Sequence, residues 1–193
     1  MLRALAGGGA TVSSALLLAA CGSEESASTT GDLGYVAGDG TVVEIPSAER
    51  AEPAVFSGTT YEGETFESSA APPDLLVVNV WYASCPPCRV EAPDLKQISE
   101  EYTERGVQFV GINTRDEAGP ATAFEQNYGI AYPSLPDQDG EILFALRGQV
   151  APNAVPTTLV LDAEGRPAAR ITGAIEPSTL RAMLDSLIAE RDA

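Results

Sequence analysis

Cys85 and Cys88 form a Cys-x-x-Cys pair at the end of the stretch Val77-Val78-Asn79-Val80-Trp81-Tyr82-Ala83-Ser84-Cys85-Pro86-Pro87-Cys88. Two thiols at this spacing can cycle between dithiol and disulfide, or hold half of a metal site. The rest of the composition narrows that choice. The chain has no histidine, which excludes a Cys-His or Ser-His nucleophile, a histidine-ligated metal and a histidine axial ligand for haem. Zinc would need further Cys or His ligands, and the remaining cysteine is Cys21, near the N-terminus. A c-type haem attachment needs His directly after the second cysteine, where Arg89 stands. What remains is thiol–disulfide chemistry with no cofactor beyond the cysteine pair, or a permanent structural bridge.

Within the redox reading the two cysteines have different tasks. Cys85 stands where a helix begins, so unpaired N–H groups and the helix dipole favour its thiolate and make it the expected nucleophile. Cys88, one turn in, resolves the mixed disulfide. Pro86 and Pro87 suit the first helical turn but carry no N–H. Two donors to the thiolate are thereby missing, which leaves the N–H groups of Cys88 and Arg89. A poorly stabilised thiolate favours the disulfide form, so the pair is expected to lean towards a reductant. Glu91 follows Cys88 by one turn and is expected to exchange a proton with it and to raise the thiol pKa values. The plainer alternative for Glu91 is an exposed first-turn acid that suits the dipole. Trp81 is a candidate substrate contact, with packing around the site the plainer role for it and for Tyr82.

The elements that must position these residues follow from periodicity. Leu75 to Trp81 is almost wholly apolar, as in a strand covered on both faces. Ala92, Leu95, Ile98 and Tyr102 have helical spacing over Ala92 to Glu104, and Gly106 ends that helix before a second buried strand, Val107 to Asn113. Glu117 to Tyr128 predicts another helix stopped by Gly129. Tyr132 to Pro136 is extended, and Gly140 to Arg147 a short helix. Pro156 to Asp162 and Pro167 to Thr172 read as an antiparallel pair around Ala163-Glu164-Gly165. Pro177 opens a last helix with Leu180, Met183, Leu184, Leu187 and Ile188 on one face. Upstream, Thr41 to Ile45 is a short strand, and Pro53 to Thr60 with Glu64 to Glu67 a hairpin around Tyr61-Glu62-Gly63.

The chain has 193 residues, 44% hydrophobic and 20% charged, which suits one globular domain and a tail. Its net charge of -17 argues against nucleic acid as a partner, because phosphate binding needs a basic surface. Met1 to Ala20 has one basic residue, Arg3, an apolar middle and small residues at its end, the pattern of a secretory signal. It is short for a membrane span, and Gly7-Gly8-Gly9 weakens it as a helix. Residues 22–32 have no apolar periodicity and read as a solvated tether. The expected division is a signal over 1–20, a tether over 21–50 and a folded domain over 51–193.

Two resemblances add to this. Leu18-Ala19-Ala20-Cys21 resembles the lipobox of bacterial lipoproteins. That implies cleavage before Cys21, lipid attached to its sulfur, and anchoring to the cell membrane on the extracytoplasmic side. Asn79 to Pro93 is similar to the active-site segment of TlpA/ResA-like thioredoxins, in the wider redoxin/AhpC-TSA-like superfamily. Gly111-Ile112-Asn113-Thr114-Arg115-Asp116 resembles their second core strand, and Val155-Pro156-Thr157-Thr158 their cis-proline loop. Strand–helix–strand followed by a hairpin and a helix is likewise the order of a thioredoxin fold. The implied fold is α/β, a central mixed sheet flanked by helices, with an N-terminal β-hairpin and a central insertion.

The resemblance also implies function. Cys85 and Cys88 would be catalytic with Glu91, while Pro156 would expose the Val155 backbone to a substrate peptide. A second family acid would fall at Asp116 or Glu117. Asn79 departs from cytoplasmic thioredoxins, which carry a buried acid there. The implied activity is reduction of disulfides in exported proteins, such as apocytochrome c during cytochrome c biogenesis, with a membrane thiol–disulfide partner supplying electrons. A disulfide-forming oxidase and a binding module without turnover are the alternatives.

Overall fold

The computed structural model describes residues 35–37, 41–69 and 74–193. Its strands are β1 (Tyr35–Ala37), β2 (Thr41–Glu44), β3 (Ser57–Thr59), β4 (Thr65–Glu67), β5 (Leu75–Trp81), β6 (Val107–Asn113), β7 (Ser134–Pro136), β8 (Thr157–Leu161) and β9 (Pro167–Thr172). The helices are α1 (Pro86–Thr103), α2 (Ala118–Tyr128), α3 (Glu141–Ala145) and α4 (Pro177–Arg191). β1-β2-β9-β8-β5-β6-β7 make one mixed sheet, and β3 with β4 a separate hairpin. β5 runs parallel to β6 and antiparallel to β8.

All seven residues of β5 are buried. Side chains alternate across a strand, so Leu75 and Val77 face one layer, and Leu76, Val78 and Val80 the other. The first layer is closed by Leu95, Ile98 and Tyr102 of α1 and by Leu180, Met183 and Leu184 of α4. The second is closed by Ile142 of α3, by Leu146 and by Phe56 beside the hairpin. Asn79 and Trp81 continue the Leu75–Val77 face, which places them under α1. Gly111 of β6 lets the Trp81 indole lie close: a Cβ there would sit 2.7 Å from its Nε1.

The sheet reaches further towards the N-terminus than the expected domain start at residue 51. β2 pairs with β9 and β1 with β2, so residues 41–44, assigned to the tether, belong to the sheet. The short strand expected at Thr41 to Ile45 is present, but its place in the sheet was not legible, because the pairing partner lies more than a hundred residues on. The expected signal and residues 21–34 and 38–40 of the expected tether, with Cys21, lie outside the described residues. Among the described residues no helix is long and apolar enough to cross a membrane.

Candidate active site

The parallel strands β5 and β6 both end at the edge where α1 begins, and the cysteines sit in that turn. Cys85 is the N-cap of α1, with Pro86 and Pro87 next. Cys85 and Cys88 are joined by a disulfide, their Cα atoms 5.3 Å apart. The Cys88 N–H donates to Cys85 Sγ at 3.2 Å. The Arg89 N–H, expected to be a second donor to that sulfur, goes instead to the Cys85 carbonyl oxygen at 3.2 Å. That bond is the ordinary helical one, so the sulfur keeps a single backbone donor.

Both cysteines are buried, each about 1% exposed, among Trp81, Ala92, Ala121 and Phe124, with Tyr82 and Val155 against them. Trp81 departs from its candidate role as a substrate contact. It is 3% exposed and covered by Phe124, with ring centroids 4.5 Å apart, because the last position of β5 is still inside the sheet. Tyr82, one residue on, is only half-buried. Val155 is half-buried beside the disulfide, and the Val155–Pro156 bond is cis.

Glu91 is not an exposed first-turn acid. Cys88, Glu91, Ala92, Leu95 and Ile98 make the buried face of α1, and Glu91 is 1% exposed. Its Oε1 accepts from Asn79 Nδ2 at 3.0 Å and its Oε2 from the Ile175 N–H at 2.9 Å. Asn79 Nδ2 also donates to Thr158 Oγ1 at 3.3 Å, across the β5–β8 pairing that sets the two residues opposite each other. Burial raises the Glu91 carboxyl to about 7 against these two bonds, which pull it down. A cavity of about 10 Å³ lies between Cys88 and Asn79, close to the size of one water.

The loop after β6 fixes the approach to Cys85. Asp116 Oδ2 accepts from the Ala83 N–H at 2.5 Å and from Asn113 Nδ2 at 2.9 Å. Asn113 Oδ1 in turn accepts from the N–H groups of Arg115 and Asp116. Tyr61 and Gln138 donate to the Asp116 carbonyl. Of the two acids left open by the sequence, Asp116 therefore touches the cysteine turn. Glu117 is the exposed cap residue of α2 and makes no side-chain capping bond.

This disposition can be compared with known proteins. The profile of the Redoxin family matches residues 44–185. The chain belongs to the redoxin family. Among curated redoxin-type relatives, the thiol-disulfide oxidoreductase ResA of Halalkalibacterium halodurans is 28% identical over 54% of this chain and 57% of its own length. The thiol:disulfide interchange protein HelX of Rhodobacter capsulatus is 33% identical over 60% of this chain and 61% of its own. The chain thus spans about three fifths of these relatives. Of solved structures, a DsbF homologue from Corynebacterium diphtheriae superposes with TM-score 0.67 at 31% identity, covering 75% of this chain and 92% of that one. A secreted thiol-disulfide isomerase from Corynebacterium glutamicum gives 0.70 at 28%, covering 77% and 92%. The fold is the thioredoxin fold, as expected. Within this redoxin site, the Asn79–Thr158 bond, the Arg89 side-chain bond to the Ala83 carbonyl and the Arg115 guanidinium over the Tyr82 ring are additions that the sequence did not signal.

Proposed function

We propose that the chain is an extracytoplasmic thiol–disulfide oxidoreductase that reduces disulfides of exported proteins. The observation that carries the direction is the sparse solvation of Cys85 Sγ: one N–H from Cys88, none from Pro86 or Pro87, and the Arg89 N–H used elsewhere. A thiolate with few donors is a poor leaving group and a good nucleophile, and its dithiol gives up electrons readily.

In the reduced form the Cys85 thiolate attacks the substrate disulfide. A Cys85–substrate bond forms and one substrate thiolate leaves. The Cys88 thiolate then attacks Cys85 Sγ, forms the disulfide present here and releases the second substrate thiolate. Two electrons pass to the substrate, and a membrane-bound dithiol partner must return them. Glu91, one turn from Cys88 and titrating near neutral pH, is placed to take the Cys88 proton. Half-buried Val155, beside the disulfide and before the cis-proline, would pair its backbone with an extended substrate segment. Apocytochrome c is the substrate suggested by the family resemblance, and a lipid on Cys21 the anchor suggested by the lipobox.

Equilibration against a glutathione or dithiothreitol couple tests the direction. The expected reduction potential lies nearer about -270 mV than about -120 mV. A value at the oxidising end would overturn the reductant reading and leave an oxidase.

A further inference from the structure

Acidic residues outnumber basic ones 28 to 11, so any arginine left without a carboxylate needs a reason. Among the described residues, Arg50, Lys96, Arg105, Arg166, Arg181 and Arg191 each form an ion pair. Arg89, Arg115, Arg147 and Arg170 form none with a described residue. Two of these, Arg147 and Arg170, line a groove beside α3 and donate to backbone carbonyls there. The other two converge on the active site from different elements. Arg89, in the first turn of α1, donates from Nη1 to the Ala83 carbonyl at 3.3 Å. Arg115, in the loop after β6, holds its guanidinium 4.0 Å from the centre of the Tyr82 ring.

Both arginines are exposed, and their guanidinium groups contact Ala83 and Tyr82, two and three residues before Cys85. Neither is hydrogen-bonded to Cys85 Sγ, whose donor is the Cys88 N–H. The neighbouring acids do not neutralise them: Asp116 is turned onto Ala83 N–H and Asn113, Glu91 is buried, and Glu117 makes no ion pair. Around them the rim is apolar, with Pro86 and Pro87 exposed and Val90 72% exposed. A rim that is apolar and cationic, on a molecule that is otherwise strongly negative, complements one kind of partner surface. We propose that Arg89 and Arg115 form a docking site for a carboxylate that stands beside the reacting cysteine of the partner polypeptide. This rests on the oxidoreductase reading and adds a substrate preference to it. The surrounding negative charge would repel a uniformly acidic partner, so the preference is for a local carboxylate, and it selects orientation as well as identity.

The test compares two disulfide-bonded peptides, identical except that one carries Asp beside the cysteine and the other Asn. The wild type is expected to turn over the Asp peptide with about fivefold higher kcat/KM, the upper range for an exposed charge pair. That ratio should fall to about one in Arg89→Gln/Arg115→Gln, and be partly restored in Arg89→Lys/Arg115→Lys. It should also fall as ionic strength rises from about 0.01 M to about 1 M, which shortens the screening length from about 30 Å to about 3 Å. The reduction potential of the cysteine pair should be the same in wild type and double variant. An equal ratio in wild type and double variant overturns the proposal. So does a double variant with a shifted potential and equal losses on both peptides, since the arginines would then act on the thiolate. A preference seen only when the peptides are offered as dithiols for oxidation upholds the docking site and overturns the reductant direction instead.

Discussion

At the scale of single residues, Glu91 carries the sharpest consequence. Burial raises its carboxyl from an ordinary 4.5 to about 7, although Asn79 and the Ile175 N–H both stabilise the charged form. Between those two pH values the unfolded chain has released the proton and the folded protein still holds it. The stability this group contributes is therefore fully present below about pH 4.5 and is lost as pH rises to about 7, by roughly 3 kcal/mol. Urea unfolding of the disulfide form across that range should show the decline in wild type relative to Glu91→Gln, which has no such proton. Parallel stability curves for the two would show that Glu91 titrates as an ordinary acid. That Glu91 is buried was legible in part, since it falls between Cys88 and Ala92 on the apolar stripe of α1. That Asn79 and Thr158 hold it was not, because they meet only through the register of β5 on β8, 79 positions apart.

At the scale of elements, the start of α1 sets the redox character. The apolar spacing from Ala92 onward revealed the helix, and the proline pair marked its first turn, which begins at Pro86. The expectation that Arg89 would donate to the sulfur failed for a simple reason. Once Cys85 is the N-cap, its carbonyl takes the first helical bond, and the Arg89 N–H is the group in reach. Pro87→Ala restores an N–H at the second helical position, where an N-cap side chain commonly finds a donor. A hydrogen bond to a charged acceptor contributes about 1.5 to 3 kcal/mol. For a two-electron couple, about 1.4 kcal/mol corresponds to about 30 mV. The reduction potential of Pro87→Ala should therefore rise by about 30 mV or more, with a lowered Cys85 pKa measured by alkylation rate. An unmoved potential would mean that donor count does not set the direction of this site. The Asp116 clamp on Ala83 escaped this kind of reading, because loop residues have no periodicity to place them.

At the scale of the whole molecule, the segment that follows β2 is tied to the rest at the end of the sheet remote from the cysteines. Arg50, just after β2, has a side chain that is 3% exposed. It donates to the Ile45 carbonyl, to Asp162 at 3.0 Å in the β8–β9 turn and to Glu190 at 2.7 Å on α4. One side chain thereby connects the N-terminal segment, a sheet turn and the last helix. Sequence alone placed this region in a tether, since an arginine among polar residues gives no sign that three distant segments converge on it. Arg50→Ala removes the buried partner, and Asp162 retains Arg166, so the loss should be about 3 kcal/mol, the low end for breaking a buried pair. Arg166→Ala, on the more exposed side of the same carboxylate, should cost less than about 1 kcal/mol. Asp162 follows Leu161, which pairs with Leu76 near the start of β5, whereas the cysteines follow its end at Trp81. The reduction potential of the Cys85–Cys88 pair should accordingly stay the same in Arg50→Ala while its urea midpoint falls. If the potential moved with the midpoint, the two ends of the sheet would be coupled, and the N-terminal strands would be part of the redox machinery as well as of the fold.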